Sequence, residues 1–319
     1  YEKTFFPFIL FSKKRYVGNK YEEDVNKYSQ TSMGIVLKRR DNAKILKNIY
    51  QGVINSILNE RDIEKAKDFY KNSIIRLLEG KVNLNKLVIS KTIKGNYKNP
   101  TQIAHKVLAD RMKERDPGNA PANNDRIPYI YINEKCLKCY DCEKEHIDIK
   151  NINPSERHRY EIDVKNAKCI KCMKLLCKAH LQEHKDKQKC KIICRYCKQT
   201  LKGFNAAKSK CDICKGHFCK RCKEKHKCIN ELSGKILQGD KIEHPEYIDA
   251  HKDVTPDYMY YFDHQVQKPV DQIFSLVMKD PETIYKKIID EYNGKEKREK
   301  ENNQDITCFF KPKIVKIKT

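Results

Sequence analysis

Cysteine and histidine residues are concentrated between Cys136 and Cys228, where fourteen of the fifteen cysteines of this 319-residue chain lie. Most of these cysteines occur in pairs separated by two residues, a spacing that lets two thiolates from one tight turn bind one metal ion. Histidines fall between the pairs. Interleaved histidines and repeated pairs favour metal ligands over disulfides or buried structural cysteines. We therefore predict zinc sites, and thiolate ligands also indicate a reducing compartment.

The cysteine segment contains an internal repeat of six ligand positions. The first copy has Cys169, Cys172, Cys177, His180, His184 and Cys190, and the second has Cys211, Cys214, Cys219, Cys222, His226 and Cys228. One more pair precedes each copy: Cys194 and Cys197 precede the second, and two of Cys136, Cys139 and Cys142 precede the first. The sequence leaves open which two. Eight ligands per copy suffice for two tetrahedral ions, so we predict four zinc ions.

In a cross-braced module, alternate ligand pairs share a metal ion. This arrangement predicts one ion bound by Cys194, Cys197, Cys219 and Cys222, and another bound by Cys211, Cys214, His226 and Cys228. The first copy is expected to follow the same scheme. The pattern resembles the small cross-braced zinc fingers of stress-associated proteins and the B-box, including an aromatic residue, Phe218, before the fifth ligand. An all-cysteine set is compatible with a four-iron cluster, but mixed cysteine and histidine ligands favour zinc.

The composition is strongly basic, with 67 Lys and Arg against 43 Asp and Glu and a net charge of +24. This charge suits a polyanionic partner such as nucleic acid, although an AT-rich coding sequence would also enrich lysine. No apolar run reaches the length of about 18 residues that spans a membrane, and there is no signal peptide. The chain begins at Tyr1 without methionine, so we expect it to be part of a longer protein.

The flanking sequence predicts an α+β fold, with a β-hairpin followed by mainly helical segments that the cysteine segment interrupts. The hairpin is predicted from Phe5 to Tyr21, with a polar turn at Ser12, Lys13 and Lys14. Apolar residues at helical spacing predict a helix over 42–58 and a second helix between a capping Asp62 and Gly80, with Phe69 in its buried stripe. A short extended run follows at 87–90, and a third helix is predicted over 101–115.

Short sequence blocks on both sides of the cysteine segment occur in the order found in one protein family. They are Phe6-Pro7-Phe8, Lys13-Lys14-Arg15-Tyr16-Val17-Gly18, Arg39-Arg40-Asp41-Asn42, Leu87-Val88-Ile89-Ser90-Lys91, Arg115-Asp116-Pro117-Gly118, Asp125-Arg126-Ile127-Pro128-Tyr129, 239–245, Asp257-Tyr258 and 265–274. In this order they resemble the end of the palm and the thumb of a family B DNA polymerase. The delta-type and large-DNA-virus members are the most similar. The resemblance covers about 1–130 and 235–280.

The resemblance implies roles for several basic residues. Lys14 and Tyr16 match the family motif that lies along the minor groove at the primer terminus; Arg15 supports that turn, and Lys13 adds a further cation. Arg40 and Lys91 lie in blocks that approach the backbone of the new duplex, where a positive charge binds phosphate regardless of sequence. An internal ion pair between Arg40 and Asp41 is the alternative.

The chain departs from the family pattern in two respects. The family's metal-binding aspartates, its nucleotide-contacting lysine and its exonuclease carboxylates are expected upstream of Tyr1. Magnesium would therefore bind only in that catalytic palm, and this chain alone would not catalyse phosphoryl transfer. The cysteines interrupt the thumb instead of following it, so accessory-subunit binding and an iron-sulfur cluster are not carried over from the delta-type polymerases.

The C-terminal residues resemble the box that binds a sliding clamp. A charged and amide-rich segment over 294–304 predicts a flexible linker. The clamp-binding residues would be Asn303, Ile306, Phe309 and Phe310. Asn303 stands where glutamine is usual, and the three apolar residues could occupy a pocket on a clamp.

These patterns predict five regions: the end of the palm (1–40), the first part of the thumb (41–134), the tandem zinc insertion (135–230), the second part of the thumb (231–292) and the tail (293–319). The chain is predicted to grip primer-template DNA as the C-terminal part of a replicative DNA polymerase, in the nucleus or at a viral replication site in the host cytoplasm. The alternatives are a zinc-finger adaptor, a ubiquitin-ligase-like protein, or an inactive polymerase paralogue kept as a scaffold.

Overall fold

The computed structural model describes residues 4–22, 26–172, 174–186, 190–211, 215–224 and 236–309. The chain forms two compact units, one made of Tyr1–Leu87 and Tyr258–Thr319 and the other of Val88–Asp257. Helices and small antiparallel sheets occur in the described residues, which confirms the predicted α+β class.

The first unit begins with a three-stranded antiparallel sheet in the order β1 (Thr4–Ser12), β2 (Arg15–Tyr21) and β3 (Tyr28–Met33). Strands β1 and β2 form the predicted hairpin, with Phe8 opposite Gly18. The central strand is the most buried of the three, and Val17 is fully enclosed. Strand β3 was not predicted, because its four central residues are polar and only its end residues, Tyr28 and Met33, have large hydrophobic side chains.

Two amphipathic helices follow the sheet, α1 (Lys44–Leu58) and α2 (Ile63–Leu78). The Asp62 side chain accepts a hydrogen bond from the Lys65 amide at 2.9 Å, as expected for an N-cap. Gly80 adopts a positive φ of +70° just after α2, a conformation that glycine takes at little cost. The predicted burial of Phe69 is wrong: its ring is 40% exposed, whereas the neighbouring Tyr70 is fully buried.

The C-terminal part of the chain returns to this unit. A short helix α9 (Tyr258–Tyr260) leads through a π-helical turn (Tyr261–Val266) into α10 (Gln267–Phe274), and α11 (Glu282–Phe309) follows. The Tyr70 ring packs edge-on against Phe274 and Tyr285, with centroids 5.8 and 5.9 Å away. The Tyr261 hydroxyl donates to the Leu87 carbonyl at 2.7 Å. Burial of a ring such as Phe274 contributes about 1.5–3 kcal/mol.

Helix α11 differs from the expected flexible linker over 294–304, because the backbone is helical through Phe309. Its charged residues are good helix formers, and the ion pair between Glu291 and Lys295 has the favourable i,i+4 spacing. Lys71 of α2 also contacts Glu291 at 2.6 Å. Among the described residues, no helix is both long enough and apolar enough to cross a lipid bilayer.

The second unit contains a second antiparallel sheet, in the order β4 (Ile89–Thr92), β5 (Arg126–Tyr131) and β6 (Ile242–Glu243). Helix α3 (Ala104–Arg115) packs beside it. Arg115 donates two hydrogen bonds of 3.0 Å to the buried carboxylate of Glu243. A buried carboxylate requires such partners, so this pair ties α3 to β6 across the cysteine segment.

The described residues of the cysteine segment form four short α-helices, α4 (Tyr140–Lys144), α5 (Lys178–Asp186), α6 (Gly203–Lys208) and α7 (Lys220–Glu224). A further helix, α8 (Pro245–Ala250), follows β6. The segment has two small apolar cores, one around Leu176 and the other around Leu201 and Phe218. Cysteines supply much of each core, as expected where metal ligands replace a large hydrophobic interior.

Candidate metal centres and nucleic-acid surfaces

Cysteine pairs in the repeat lie in the same kind of backbone turn. The residues flanking each turn form a bridge, Lys168 with Leu175, Ile193 with Thr200 and Lys210 with His217. The amide of the first cysteine donates to the carbonyl five residues later, at 3.1 Å for Cys169, 2.8 Å for Cys194 and 2.8 Å for Cys211. Lys198 and Lys215 adopt positive φ angles of 61° and 57° at the equivalent position of two turns. The repeat of ligand spacing is therefore also a repeat of local structure.

The first group of candidate ligands is Cys139, Cys142, Cys177 and His180, whose ligand atoms lie within 4.8 Å of one another. The three Sγ atoms are 3.3–3.4 Å from His180 Nδ1, and the Cys142 and Cys177 sulfurs are 3.8 Å apart. Tetrahedral zinc with sulfur at about 2.3 Å separates its ligand atoms by about 3.8 Å. The group therefore has the size of a tetrahedral zinc site.

The thiols of this first group titrate unevenly. Hydrogen bonding from Cys177 lowers the pKa of Cys139 to about 5, whereas burial and the charge of Cys139 raise the pKa of Cys142 to about 12. A dication would offset the repulsion that keeps the second thiol protonated.

The second group is Cys169, Cys172, His184 and Cys190. The Cys169 and Cys190 sulfurs are 3.7 Å apart, and Cys172 Sγ is 3.7 Å from His184 Nδ1. The third group is Cys194, Cys197, Cys219 and Cys222, with 3.7 Å between the sulfurs of Cys197 and Cys219. Burial alone would raise the pKa of Cys194, but amide donors from Cys197 and Cys219 lower it to about 7. All three groups combine the ligand pairs that the cross-brace scheme predicts.

The fourth predicted set is incompletely described. Cys211 is half-buried beside the core around Phe218, whereas Cys214, His226 and Cys228 lie outside the described residues. Its assignment therefore stays a prediction from the repeat.

The choice among the three N-terminal cysteines is made by geometry. Cys139 caps α4 and Cys142 lies within it, which places both in the first group. Cys136 is not in that group: its sulfur lies 3.4 Å from the Thr255 hydroxyl and accepts a hydrogen bond from the Thr255 amide at 3.3 Å. The sequence left open which two of these cysteines are ligands, and the grouping favours Cys139 and Cys142 over Cys136.

Two carboxylates contact the histidine ligands and were missed by the sequence analysis. His184 Nε2 lies 2.6 Å from Asp141 Oδ2, and His180 Nε2 lies 3.3 Å from Glu145 Oε2. Because Nδ1 of each ring faces the cysteine sulfurs, we assign the proton to Nε2, which then donates a hydrogen bond to the carboxylate. Tyr196 and Thr200 stand at the equivalent positions of the second copy. For Glu145 this difference between the copies was an available signal, since Cys222 replaces its partner His180 in the second copy.

The basic hairpin turn joins β1 to β2. Lys13 and Lys14 are exposed, and Lys14 adopts a φ of +63°. A Cβ on Gly34 would lie 2.4 Å from the Lys14 carbonyl, so glycine is needed where the chain passes this turn. Arg15 donates to the Gln272 side chain at 3.0 Å, and the Tyr16 ring packs 5.5 Å from that of Phe8. The turn therefore presents two exposed cations on a fixed backbone.

The other predicted DNA contacts lie elsewhere. Arg40 is exposed in the first unit, and Asp41 accepts two hydrogen bonds of 3.2 Å from Arg39. Lys91 is half-buried in β4, opposite Ile127. Burial and the charge of Lys91 together lower the pKa of His105. In the tail, Asn303, Ile306 and Phe309 belong to the α11 backbone, and Phe310 lies outside the described residues.

Comparison with known proteins gives the family. The model of the family described as DNA polymerase family B matches residues 1–277. The chain belongs to DNA polymerase family B. This family B chain is 37% identical over 315 residues to a "DNA polymerase" of Pyramimonas orientalis virus, covering 96% of this chain and 18% of the relative. It is 36% identical over 296 residues to a "DNA polymerase" of Acanthamoeba polyphaga mimivirus, covering 92% of this chain and 12% of the relative.

A cellular relative matches a shorter part of the family B chain. It is the "DNA polymerase delta catalytic subunit" of Candida albicans, 38% identical over 141 residues, which are 44% of this chain and 14% of the relative. The two viral matches, in contrast, are long enough to include the cysteine segment. The chain thus spans less than a fifth of the length of each of these relatives.

Proposed function

We propose that this family B chain forms part of a replicative DNA polymerase and holds the primer-template duplex while the full protein extends the primer. The match of the family model to residues 1–277, on both sides of the cysteine segment, is the observation that carries this proposal. It disfavours the adaptor or ubiquitin-ligase alternative, because such a protein has no need of polymerase sequence on both flanks. The proposed location is a site of DNA replication, either nuclear or, for a viral protein, cytoplasmic.

The basic hairpin turn is the proposed contact with the DNA backbone at the primer end. Lys13 and Lys14 are exposed, and the turn is braced by Arg15 and by ring packing of Tyr16. Flexible ammonium groups bind phosphate oxygens without reading bases, as binding to DNA of any sequence requires. Arg40 and Lys91 are proposed as further phosphate contacts, in agreement with their positions in the family blocks.

Phosphoryl transfer is assigned to parts of the full protein beyond this chain. Within the described ranges, each group of three or more close metal-binding side chains contains cysteines. Magnesium prefers oxygen ligands in octahedral geometry, so these groups do not fit it. Zinc fits them in number, spacing and donor type, and its proposed role is to hold the cysteine segment folded.

The C-terminal residues Asn303, Ile306, Phe309 and Phe310 are proposed to bind a sliding clamp. Their spacing places three apolar residues within about one helical turn, which is the arrangement that a small apolar pocket accepts. Attachment to a ring around DNA would raise the effective concentration of the polymerase at the primer end.

A salt titration of DNA binding tests the proposed grip. The affinity of the 319-residue chain for a labelled primer-template duplex is measured at several salt concentrations, on two unrelated sequences. The slope of log affinity against log salt is negative. The double variant Lys13→Gln with Lys14→Gln is expected to reduce its magnitude by about 2, equally on both sequences, since each lost phosphate contact removes about 0.9.

The matched control is Lys65→Gln with Lys81→Gln, two exposed lysines of the same unit that pair with Glu60 and Glu79. This control is expected to leave the slope nearly unchanged. An equal effect of both double variants, or strong discrimination between the two sequences, would contradict the proposal.

A further inference from the structure

The two copies of the zinc repeat differ sharply in charge although they share ligand spacing. Residues 136–190 contain thirteen Lys and Arg against nine Asp and Glu, whereas 191–228 contain twelve against two. A lysine-rich coding bias would act on both copies alike and would not remove acidic residues from one. The second copy is therefore selectively depleted of negative charge.

Bound zinc would preserve this difference. A zinc ion with four thiolates carries a net charge of −2, and one with three thiolates and a histidine carries −1. Because Cys222 replaces His180, the second copy gains only one more negative charge than the first. The copies differ by six formal charges before metal binding, so they would still differ by five afterwards.

The excess positive charge of the second copy lies on its surface. Eight basic side chains of the described part of this copy are exposed: Lys191, Lys202, Lys208, Lys210, Lys215, Lys220, Arg221 and Lys223. In the first copy, by contrast, two basic residues pair with acidic residues of the same copy, Lys178 with Glu161 at 3.0 Å and Arg159 with Glu156 at 3.9 Å.

The second copy is also attached to a basic part of its own unit. The Tyr196 hydroxyl donates to the Asn99 side chain at 3.0 Å. Lys94 and Lys98 are exposed in the segment that ends at Asn99, and this segment follows Lys91 of β4, which is a proposed phosphate contact. The surface charge of the second copy thus continues from a segment already proposed to face DNA.

We propose that the second zinc copy binds the phosphate backbone of duplex DNA and extends the grip of the polymerase beyond the primer end. This inference rests on the proposed function and assigns a ligand to a part of the chain that the family resemblance leaves without one. Lysines dominate the surface, so the contact is with phosphates and has no base preference. A high local positive charge of this kind binds DNA through release of counterions.

The test uses the 319-residue chain and labelled duplexes of two lengths, one short and one extending about 20 base pairs behind the primer end. The triple variant Lys202→Gln, Lys210→Gln and Lys220→Gln is expected to reduce the magnitude of the salt slope on the longer duplex by about 2 to 3. A Lys→Arg triple variant at the same positions is expected to keep the slope of the unmodified chain. Zinc content measured on each variant shows that the fold is retained.

The matched control removes the same charge from the first copy, by Lys144→Gln, Lys165→Gln and Lys178→Gln. An effect of this control as large as that of the second-copy variant would overturn the proposal, as would a second-copy slope change below about 1. So would loss of binding to vesicles containing phosphatidylserine without any change on DNA, because the surface would then serve a membrane. The Lys13 and Lys14 double variant in the same titration separates the two proposals: if it alone lowers the slope, only the second-copy surface fails.

Discussion

We propose a role for Asp141 in metal binding from one short contact with a candidate ligand. Its carboxylate lies 2.6 Å from His184 Nε2, and its side chain is only 15% exposed. A carboxylate in this position keeps the proton on Nε2, orients the ring and makes Nδ1 a stronger ligand. Substitution of such a partner typically costs 10–100-fold in metal affinity.

We expect Asp141→Asn to weaken zinc binding at the second group by about tenfold, while the other groups keep their affinity. Competition with a chromophoric chelator measures this change. The control is Glu143→Gln on the same helix, an exposed residue whose loss should leave zinc affinity unaltered. Equal zinc retention by Asp141→Asn and the unmodified chain would show that the contact does not support the metal.

The spacing of cysteines and histidines predicted the candidate metal ligands, but not the carboxylates that contact the histidines. The spacing of cysteines and histidines indicated the ligand pairs of three groups, because ligands on one turn are neighbours in sequence as well as in space. Asp141 and His184 are 43 residues apart, so their contact depends on the fold. The same limit explains why Cys136 could not be separated from Cys139 and Cys142 by spacing.

At the scale of elements, the helices of the flanks were predictable from local signals. Asp62 caps α2 and Gly80 follows its end, and apolar spacing fixed the buried stripe of α1. The sheet of β4, β5 and β6 was not predicted as a unit. Strand β6 has two residues and pairs with β5 across the whole cysteine segment, so no local pattern indicates it.

Helix α11 contains three of the four residues proposed to bind the sliding clamp. Its backbone is helical through Phe309, so Ile306 and Phe309 are separated by nearly one turn. We expect Phe309→Ala with Phe310→Ala, placed in the full-length polymerase, to shorten products on long primed templates when the clamp is present. Each buried phenylalanine contributes about 1.5–3 kcal/mol to binding before ordering costs.

Synthesis on short primers without the clamp is the internal control, and it should be unaffected by the double substitution. Substitution of the exposed Lys295 by Gln gives a control variant in the same helix. Full clamp-stimulated product length from the Phe309 and Phe310 variant would rule out the clamp contact.

At the scale of the whole molecule, the compact units cut across the predicted thumb. Helices α1 and α2 belong to the unit of the hairpin, whereas α3 and β4 to β6 belong to the unit of the cysteine groups. The sequence blocks indicated the family and the order of segments. They did not indicate this division, because it depends on which distant segments pack together, as Arg115 and Glu243 do.

The cysteine segment has small apolar cores in which cysteine side chains are a large part of the buried surface. We expect bound zinc to contribute folding free energy to this segment, because the binding free energy of a structural metal is gained only in the folded state. We therefore propose that the segment consists of two cross-braced zinc modules inside a family B polymerase.

Elemental analysis of the purified 319-residue protein measures the metal content per chain and so tests the two modules. We expect four zinc ions per chain, falling to three in Cys194→Ser with Cys197→Ser, because these residues share one candidate site with Cys219 and Cys222. Two or fewer metal ions per chain, or iron in place of zinc, would contradict the cross-brace assignment.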